Sequence, residues 1–152
     1  MTPEPIDVQL WRADREVSGA DMRARAGEGA RGGFSNVSHT KGLTVLASAP
    51  VRVGVDVEQV RARPYLDRLA RRSMTDDEYE RWRTADDRVR TFTRHWTRVE
   101  AHLKGLGVGV RGGLRTRPSR EWTIVDLDVG DDHCGTLALE THGRDVALHW
   151  RA

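Results

Sequence analysis

Four side chains in two short segments of this sequence have the chemistry to bind a metal ion and a phosphate chain. Asp56 lies in segment 51–57, where valines alternate with other residues, and Glu58 follows directly after it. The two acids are two residues apart, so on a strand they project from the same face. Glu100 and Lys104 are four apart in a helical pattern, so they share one helix face. Oxygen-only ligands favour Mg²⁺. If the helix packs beside the strand, three carboxylates and an ammonium converge.

Each pair also has a plain structural interpretation. Asp56 and Glu58 fit the solvent face of a half-buried strand. Glu100 and Lys104 fit a surface ion pair that contributes about 0.3–0.5 kcal/mol to stability. The pattern around the helix favours the functional interpretation, because Trp96 and Leu103 belong to an apolar stripe and place the pair at its edge. On these residues alone, both interpretations stay open.

A third polar segment, residues 34–40, precedes a predicted buried strand and contains Ser38 and His39. Both side chains can donate hydrogen bonds to a phosphate, although a solvated loop histidine gives the same pattern. A serine hydrolase triad is disfavoured, because the sequence has no Gly-x-Ser-x-Gly elbow and because the side chains of Ser38 and His39 would diverge on an extended chain.

Hydrophobic periodicity predicts the elements that must position these groups. Residues 1–33 are expected to be locally ordered at most, with a short strand around Val8–Trp11 and a glycine-rich loop over 20–33. Pro50 suggests a hairpin between the first two strands of the following domain. The predicted strands there are 43–47, 51–57, 122–129, 136–140 and 146–150, and the predicted helices are 64–72, a second opened by a capping box at Thr75 and Glu78, and 87–104.

The last of these helices is the longest, and its apolar residues follow a spacing of three and four. Gly105 and Gly107 are expected to end it. The order of elements predicts an α+β fold in which an antiparallel sheet packs on this long helix. The apolar stripe consists of Val89, Phe92, Trp96, Val99 and Leu103.

Composition limits the class of protein and of partner. The 152 residues suit a single core, and no apolar run reaches the roughly 20 residues of a membrane span. The start of the chain lacks a secretory pattern and Cys134 is the only cysteine, so we expect a cytoplasmic protein without disulfides. A net charge of +2 suits an anionic ligand or an acidic partner. Nucleic acid is disfavoured, because 23 acidic residues are interspersed among the arginines.

Taken in order, the three segments resemble the 4′-phosphopantetheinyl transferases, and more closely the surfactin-synthetase-activating type than the short holo-acyl-carrier-protein synthases. The resemblance covers roughly residues 34–150 and divides the chain into a short extension, 1–33, and a transferase-like domain, 34–152. The segments that carry it are Phe34–His39, Gly54–Glu58 and Trp96–Lys104 with Gly105 and Gly107 beyond.

The resemblance implies an activity of the holo-[acyl-carrier-protein] synthase class. Such an enzyme moves the phosphopantetheine arm of coenzyme A to a serine of an acyl or peptidyl carrier protein and releases 3′,5′-ADP, in fatty acid, polyketide or nonribosomal peptide biosynthesis. It further implies that Asp56, Glu58 and Glu100 bind Mg²⁺. Glu100 would also act as base, Lys104 would contact the phosphates, and Ser38 and His39 would lie near the 3′-phosphoadenosine.

Two departures from the family pattern define the alternatives. Val99 stands where the family usually has a lysine, and it supplies no charge. Only 33 residues precede Phe34, and the segment 30–33 is a poor match to the family's usual glycine-proline loop. These departures suggest a homo-oligomer that completes the site between subunits. They also leave open a catalytically weak or inactive relative that binds a carrier protein or a synthase.

Overall fold

The computed structural model describes residues 1–30 and 33–152, and it contains seven strands in two sheets with helices on both outer sides. The predicted α+β class is therefore confirmed. The strands are β1 (Ile6–Ala13), β2 (Phe34–Thr40), β3 (Leu43–Ala49), β4 (Val53–Gln59), β5 (Trp122–Leu127), β6 (His133–Glu140) and β7 (Val146–Trp150). The helices are α1 (Gly19–Ala26), α2 (Leu66–Ser73), α3 (Asp76–Arg83) and α4 (Arg88–Leu106), and short 3₁₀ segments span Gly27–Ala30 and Gly109–Gly112.

The two sheets face each other across the main apolar core. One has the strand order β2-β3-β1-β7 and the other β4-β6-β5. Val8, Val45, Val55 and Leu137 come from both sheets, and all are completely buried in this core. The second sheet is antiparallel as expected, whereas β1 pairs with β7 in parallel in the first. Helix α4 packs on the outer face of the second sheet, against β4 and β6, as the predicted packing of a sheet on the long helix requires.

The predicted hairpin at Pro50 is wrong. The chain turns there, but β3 pairs with β1 and β2, whereas β4 pairs with β6 in the other sheet. The physical reason is burial: Val53–Val57 are buried throughout, so β4 needs a layer on each side, and folding back on β3 would leave one face open.

The N-terminal segment is more ordered than the sequence suggested. β1 lies between β3 and β7 inside the first sheet, and the predicted loop over 20–33 contains α1 in its place. Ser18 caps this helix by accepting a hydrogen bond from the Asp21 backbone N–H at 3.1 Å, and Met22 anchors it in a small core with Trp11. A single apolar anchor in eight residues gives no periodicity to detect. Residues 31 and 32, which belong to the glycine-rich loop expected over 20–33, lie outside the described residues.

Helix α4 matches its prediction closely at the start and extends slightly beyond it at the end. Asp87 caps its N-terminus by accepting from the Arg90 N–H at 3.0 Å. Gly105 does not end the helix, because the C-cap is Gly107, whose φ of 75° suits a residue without a side chain. The helix passes so close to Gly54 on β4 that a Cβ there would lie 1.9 Å from the Ala101 carbonyl oxygen. Gly54 therefore sets the distance between the acidic strand and the helix.

Helices α2 and α3 cover the outer side of α4. α2 begins at Leu66, two residues after the expected Pro64, and the capping box of Thr75 and Glu78 at the start of α3 is confirmed. Trp82 of α3 and Phe92 of α4 belong to one buried apolar cluster between these helices. Within the described part of the chain, no helix combines the length and the apolar character needed to cross a bilayer.

Candidate active site

The two strand acids face helix α4. Asp56 lies directly opposite Thr136 on β6, and the Thr136 hydroxyl contacts the Thr97 hydroxyl of α4 at 2.8 Å. Directly paired residues share a sheet face, so Asp56 and its neighbour Glu58 point toward the helix while Val55 and Val57 enter the core between the sheets. The predicted meeting of strand acids and helix therefore takes place.

Asp56 is the most deeply buried carboxylate of the site, with 7% of its surface exposed. One oxygen, Oδ1, accepts a hydrogen bond from the Ser38 hydroxyl at 3.3 Å, whereas the other, Oδ2, is buried and has no partner among the described residues. Burial raises the pKa of Asp56 well above its usual value, and Glu58 and Glu100 add to this, while Lys104 opposes it. Lys104 is the described positive group that opposes this shift.

Glu100 reaches the same region from α4 and is half-buried. Burial raises its pKa, the nearby Glu58 carboxylate raises it further, and Lys104 lowers it. Asp56, Glu58 and Glu100, which we call the acidic site, therefore repel one another across the strand–helix interface. Carboxylates arranged in this way are stabilised by a cation between them.

Glu58 has a partner of its own. Its Oε2 accepts a hydrogen bond from Arg63 Nη2 at 2.9 Å, and Arg63 Nε is buried with no acceptor in the part of the chain that the structure describes. In residues 1–30 and 33–152, no three histidine, cysteine or acidic side chains are gathered closely enough to hold one metal ion. The donor chemistry fits Mg²⁺, since all three side chains offer carboxylate oxygens: Asp56 Oδ2 accepts from no described residue, and Glu58 keeps its Oε1 while Oε2 accepts from Arg63.

Lys104 lies beneath the acids and does not extend into solvent. Its Nζ donates to the Val37 carbonyl at 3.0 Å and to the Val55 carbonyl at 2.6 Å. Burial lowers its pKa, and the neighbouring Asp56 and Glu100 carboxylates oppose that shift. The ammonium thus connects β2 with β4, and one of its three N–H groups remains for another acceptor.

Ser38 and His39 lie on opposite faces of β2. The Ser38 hydroxyl is buried, where it accepts from the Val57 N–H at 3.0 Å and donates to Asp56. The His39 ring is exposed, and its Nδ1 lies 2.8 Å from Glu16 Oε1 at the start of the connection to α1. The structure therefore brings Ser38 together with Asp56 and Lys104 but places His39 outside this group.

Comparison with known proteins identifies the family. The sequence model of the 4′-phosphopantetheinyl transferase superfamily matches residues 52–152, which include every acidic-site residue. The chain belongs to this superfamily. Its transferase fold therefore carries the three carboxylates and the lysine on β4 and α4, as the spacing of the sequence motifs implied.

Relatives include both long and short members of the superfamily. The chain is 33% identical over 116 residues to the 4′-phosphopantetheinyl transferase HetI of Nostoc sp., covering 65% of this chain and 48% of that protein. It is 41% identical over 82 residues to a holo-[acyl-carrier-protein] synthase of Escherichia coli, covering 54% and 59%. The holo-[acyl-carrier-protein] synthase of Thermotoga maritima superposes with a TM-score of 0.49 at 20% identity over 60% of this chain and 64% of that one. The chain spans about half to three fifths of the length of these two curated relatives.

Val99, which replaces the usual lysine of the superfamily, lies away from the acids. It is 5% exposed and lines a cavity of about 230 Å³ together with His95, His102 and Arg117. This cavity is on the side of α4 that faces α3 and the loop before β5. The predicted packing role of Val99 is confirmed, and its side chain contributes no charge to the acidic site.

Three residues of the site were missed at the level of sequence. Asn36 Oδ1 accepts from the Val55 N–H at 2.9 Å, and Thr40 Oγ1 accepts from the Gln59 N–H at 3.3 Å. The third is Arg63, the partner of Glu58. The available signal was the alternation of short polar residues at 36, 38 and 40, which places three acceptors on one strand face. For Arg63 the sequence offered none, because it is one of 23 arginines in a chain with two lysines.

Proposed function

We propose that this transferase moves the 4′-phosphopantetheine arm of coenzyme A to a serine of an acyl or peptidyl carrier protein, with Mg²⁺, and releases 3′,5′-ADP. The observation that carries the proposal is the acidic site itself. Three carboxylates from β4 and α4 face one another with a buried, unpartnered oxygen among them, in a chain of this superfamily. Packing alone gives no reason to bury such a group.

In the proposed reaction the serine oxygen bonds to the β-phosphorus of coenzyme A, and the bond from that phosphorus to the bridging oxygen breaks. The electron pair leaves on 3′,5′-ADP, and Glu100 takes the serine proton directly or through a water. Asp56, Glu58 and Glu100 would hold the Mg²⁺, which when bound neutralises charge on the pyrophosphate. Glu58 would offer the ion its Oε1, and Arg63, which donates to Oε2, would remain beside the acidic site.

The proposed roles of the remaining site residues depend on how exposed and how hydrogen-bonded their side chains are. Lys104 has one free N–H to offer a phosphate oxygen, and its charge opposes the three acids. His39 is exposed and is the member of the Ser38–His39 pair proposed to contact the 3′-phosphoadenosine. The Ser38 hydroxyl already makes two hydrogen bonds inside the protein, so its contribution comes through Asp56.

Partners and compartment follow from the same proposal. Coenzyme A and an apo carrier protein are the substrates, and the mildly basic chain suits both, since carrier proteins are typically acidic. A cytoplasmic location and a homo-oligomer that completes the coenzyme A site are part of the proposal. Light scattering after gel filtration tests the oligomer, because a stable monomer with full activity would remove it.

The central experiment measures the transferred group. The protein is incubated with coenzyme A, Mg²⁺ and several apo carrier proteins, and mass spectrometry detects the phosphopantetheine increment on the carrier serine. Glu100→Gln is expected to abolish the increment, whereas Glu78→Gln, a carboxylate variant on α3 away from the acidic site, should retain it. Folded wild-type protein that modifies none of the carriers would contradict the proposal.

A second candidate is a silent relative that binds a carrier protein or synthase without transferring the arm. The neutral Val99 in place of the family's usual lysine favours it: a lysine has a long, flexible stem that can carry a charge from the edge of the helix toward the phosphates, and valine supplies none. The same experiment separates the two: the silent relative would retain a carrier protein on a binding surface or column without any mass increment.

A further inference from the structure

The edge of β4 that faces β2 is paired by side chains, although the two strands belong to different sheets. The N–H groups of alternate β4 residues, Val55, Val57 and Gln59, donate to side-chain oxygens of alternate β2 residues. These acceptors, which we call the polar ladder, are Asn36 Oδ1 at 2.9 Å, Ser38 Oγ at 3.0 Å and Thr40 Oγ1 at 3.3 Å.

The polar ladder solves a local problem of the fold. A buried backbone N–H without an acceptor costs about 1–3 kcal/mol, and β4 has its backbone partner, β6, on the other edge only. Backbone pairing would bring β2 to about 4.8 Å from β4. Side chains placed between the strands keep them further apart, which leaves room for another group to enter from α4.

Lys104 is that group. Its Nζ donates to Val37 on β2 and to Val55 on β4, so one ammonium ties a carbonyl of each strand. The polar ladder supplies acceptors to β4 and Lys104 supplies donors to both strands. The connection between the two sheets at this edge is therefore polar, whereas the interior between them is apolar.

Asp56 lies at the centre of this arrangement. The two N–H groups on either side of it in the chain, those of Val55 and Val57, are both held by the polar ladder. Ser38 also donates to the Asp56 carboxylate, so one hydroxyl connects the backbone and the side chain of the acid. A shift of β4 relative to β2 would move this carboxylate away from Glu100 on α4.

We infer that Asn36, Ser38 and Thr40 are positioning residues, which together with Lys104 fix the Asp56 carboxylate for phosphoryl transfer. The inference rests on the proposed function and deepens it. The resemblance placed Ser38 near the nucleotide and assigned no role to Asn36 or Thr40. Displacement of a reacting or ligating group by about 1 Å can reduce a rate on the order of 100-fold, so residues remote from the substrate can control the rate through geometry.

The test removes the acceptors one at a time and restores one of them. The variants are Asn36→Ala, Ser38→Ala and Thr40→Val, with Thr40→Ser as the rescue because it keeps the hydroxyl. Ser35→Ala is the matched control, since Ser35 lies on the other face of β2, out of the polar ladder. The measurements are kcat, KM for coenzyme A, the Mg²⁺ concentration for half-maximal rate, and amide hydrogen exchange at Val55, Val57 and Gln59.

We expect kcat to fall about 10- to 100-fold in Ser38→Ala and less in the other two, with KM for coenzyme A within about twofold of wild type. The Mg²⁺ requirement should rise in parallel, since Asp56 is displaced. Each variant should speed exchange at its own amide on β4. Ser35→Ala and Thr40→Ser should behave as wild type in all four measurements.

Three outcomes would overturn the inference. A tenfold rise in KM with unchanged kcat would mean that these side chains bind the nucleotide directly. Unchanged kcat in all three variants would mean that they position nothing, and unchanged exchange would mean that the polar ladder does not hold the amides. An inactive wild type removes the proposed function and the catalytic part of the inference together, whereas active ladder variants of an active wild type remove the inference alone.

Discussion

Helix α4 separates two groups of charged side chains that are built in opposite ways. On one side, Glu78 and Arg117 form an ion pair, the Glu78–Arg117 cluster, beside the cavity that Val99 lines. Burial alone would raise the pKa of Glu78, but hydrogen bonds from Arg117 and from the Thr75 backbone lower it to about 2. All five N–H donors of Arg117 find acceptors: both Glu78 oxygens and the carbonyls of Ser73, Leu114 and Thr116.

The acidic site lies on the other side and leaves its charges unbalanced. Burial and the neighbouring acids raise the pKa of Asp56, and its Oδ2 has no partner within residues 1–30 and 33–152. Burial also raises the pKa of Glu100. The difference separates two uses of a buried carboxylate. With matched donors it stabilises the fold, and without them it destabilises the fold in a way that a bound cation can relieve.

The sharpest test of this difference is Asp56→Asn. Transfer activity should fall on the order of 100-fold or more, because the Mg²⁺ of the proposed reaction would lose one of its carboxylate ligands. The melting temperature should stay the same or rise, since a neutral amide is easier to bury than an unbalanced carboxylate. Activity by mass spectrometry and thermal unfolding are measured on the same preparation. A melting temperature lowered by several degrees would show that the Asp56 carboxylate stabilises the fold. The acidic site would then not differ from the Glu78–Arg117 cluster in this respect.

Arg117→Ala should have the opposite profile. Losing five hydrogen bonds in a partly exposed cluster should destabilise the fold by about 1–3 kcal/mol, which lowers the melting temperature by roughly 2–4 °C per kcal/mol in a chain of this size. Activity per folded molecule, measured well below the transition, should be unchanged. Arg111→Ala, at an exposed arginine of the same connection, is the control. A large loss of activity without loss of stability would give the Glu78–Arg117 cluster a role in transfer.

Mg²⁺ should distinguish the two regions without any turnover. A ligand present at ten times its Kd stabilises the folded state by about 1.4 kcal/mol. We expect Mg²⁺ to raise the melting temperature of wild type and of Glu78→Gln, and to lose most of this effect in Asp56→Asn; removing the ion with a chelator should reverse it. Equal shifts in all three proteins would place the ion outside the acidic site.

Acid pH should weaken the Glu78–Arg117 cluster selectively. The Glu78 pKa is about 2 in the folded state against 4.5 for an ordinary glutamate, so its stabilisation is complete above about pH 4.5 and is lost as the pH falls toward 2. The stability difference between wild type and Glu78→Gln should therefore shrink on acidification, as measured by urea unfolding at several pH values. For Asp56 the sign is reversed: a raised pKa destabilises the fold as the pH rises through it. A pH-independent difference for Glu78→Gln would contradict the ion-pair assignment.

Much of the second sheet and of α4 could be predicted from sequence, because their signals are local. The stripe from Val89 to Leu103, the capping box at Thr75 and the alternation from Val51 to Val57 each reflect a repeat within one element. The first sheet was harder. β1 is completed by β7 from the far end of the chain, and α1 is held by a single anchor, Met22, so neither leaves a strong periodic signal.

The sequence alone determined which groups are on which face: Asp56 with Glu58 on a strand, and Glu100 with Lys104 on a helix, because these periods are fixed by backbone geometry. Only the tertiary structure decided what each group contacts. Gly54 allows the helix to lie close to the strand, and Arg63 donates a hydrogen bond to Glu58. The Lys104 ammonium donates to two carbonyls that belong to different sheets. These partners lie far apart in the chain or belong to common residue types, so no spacing rule specifies them, and only close packing selects them.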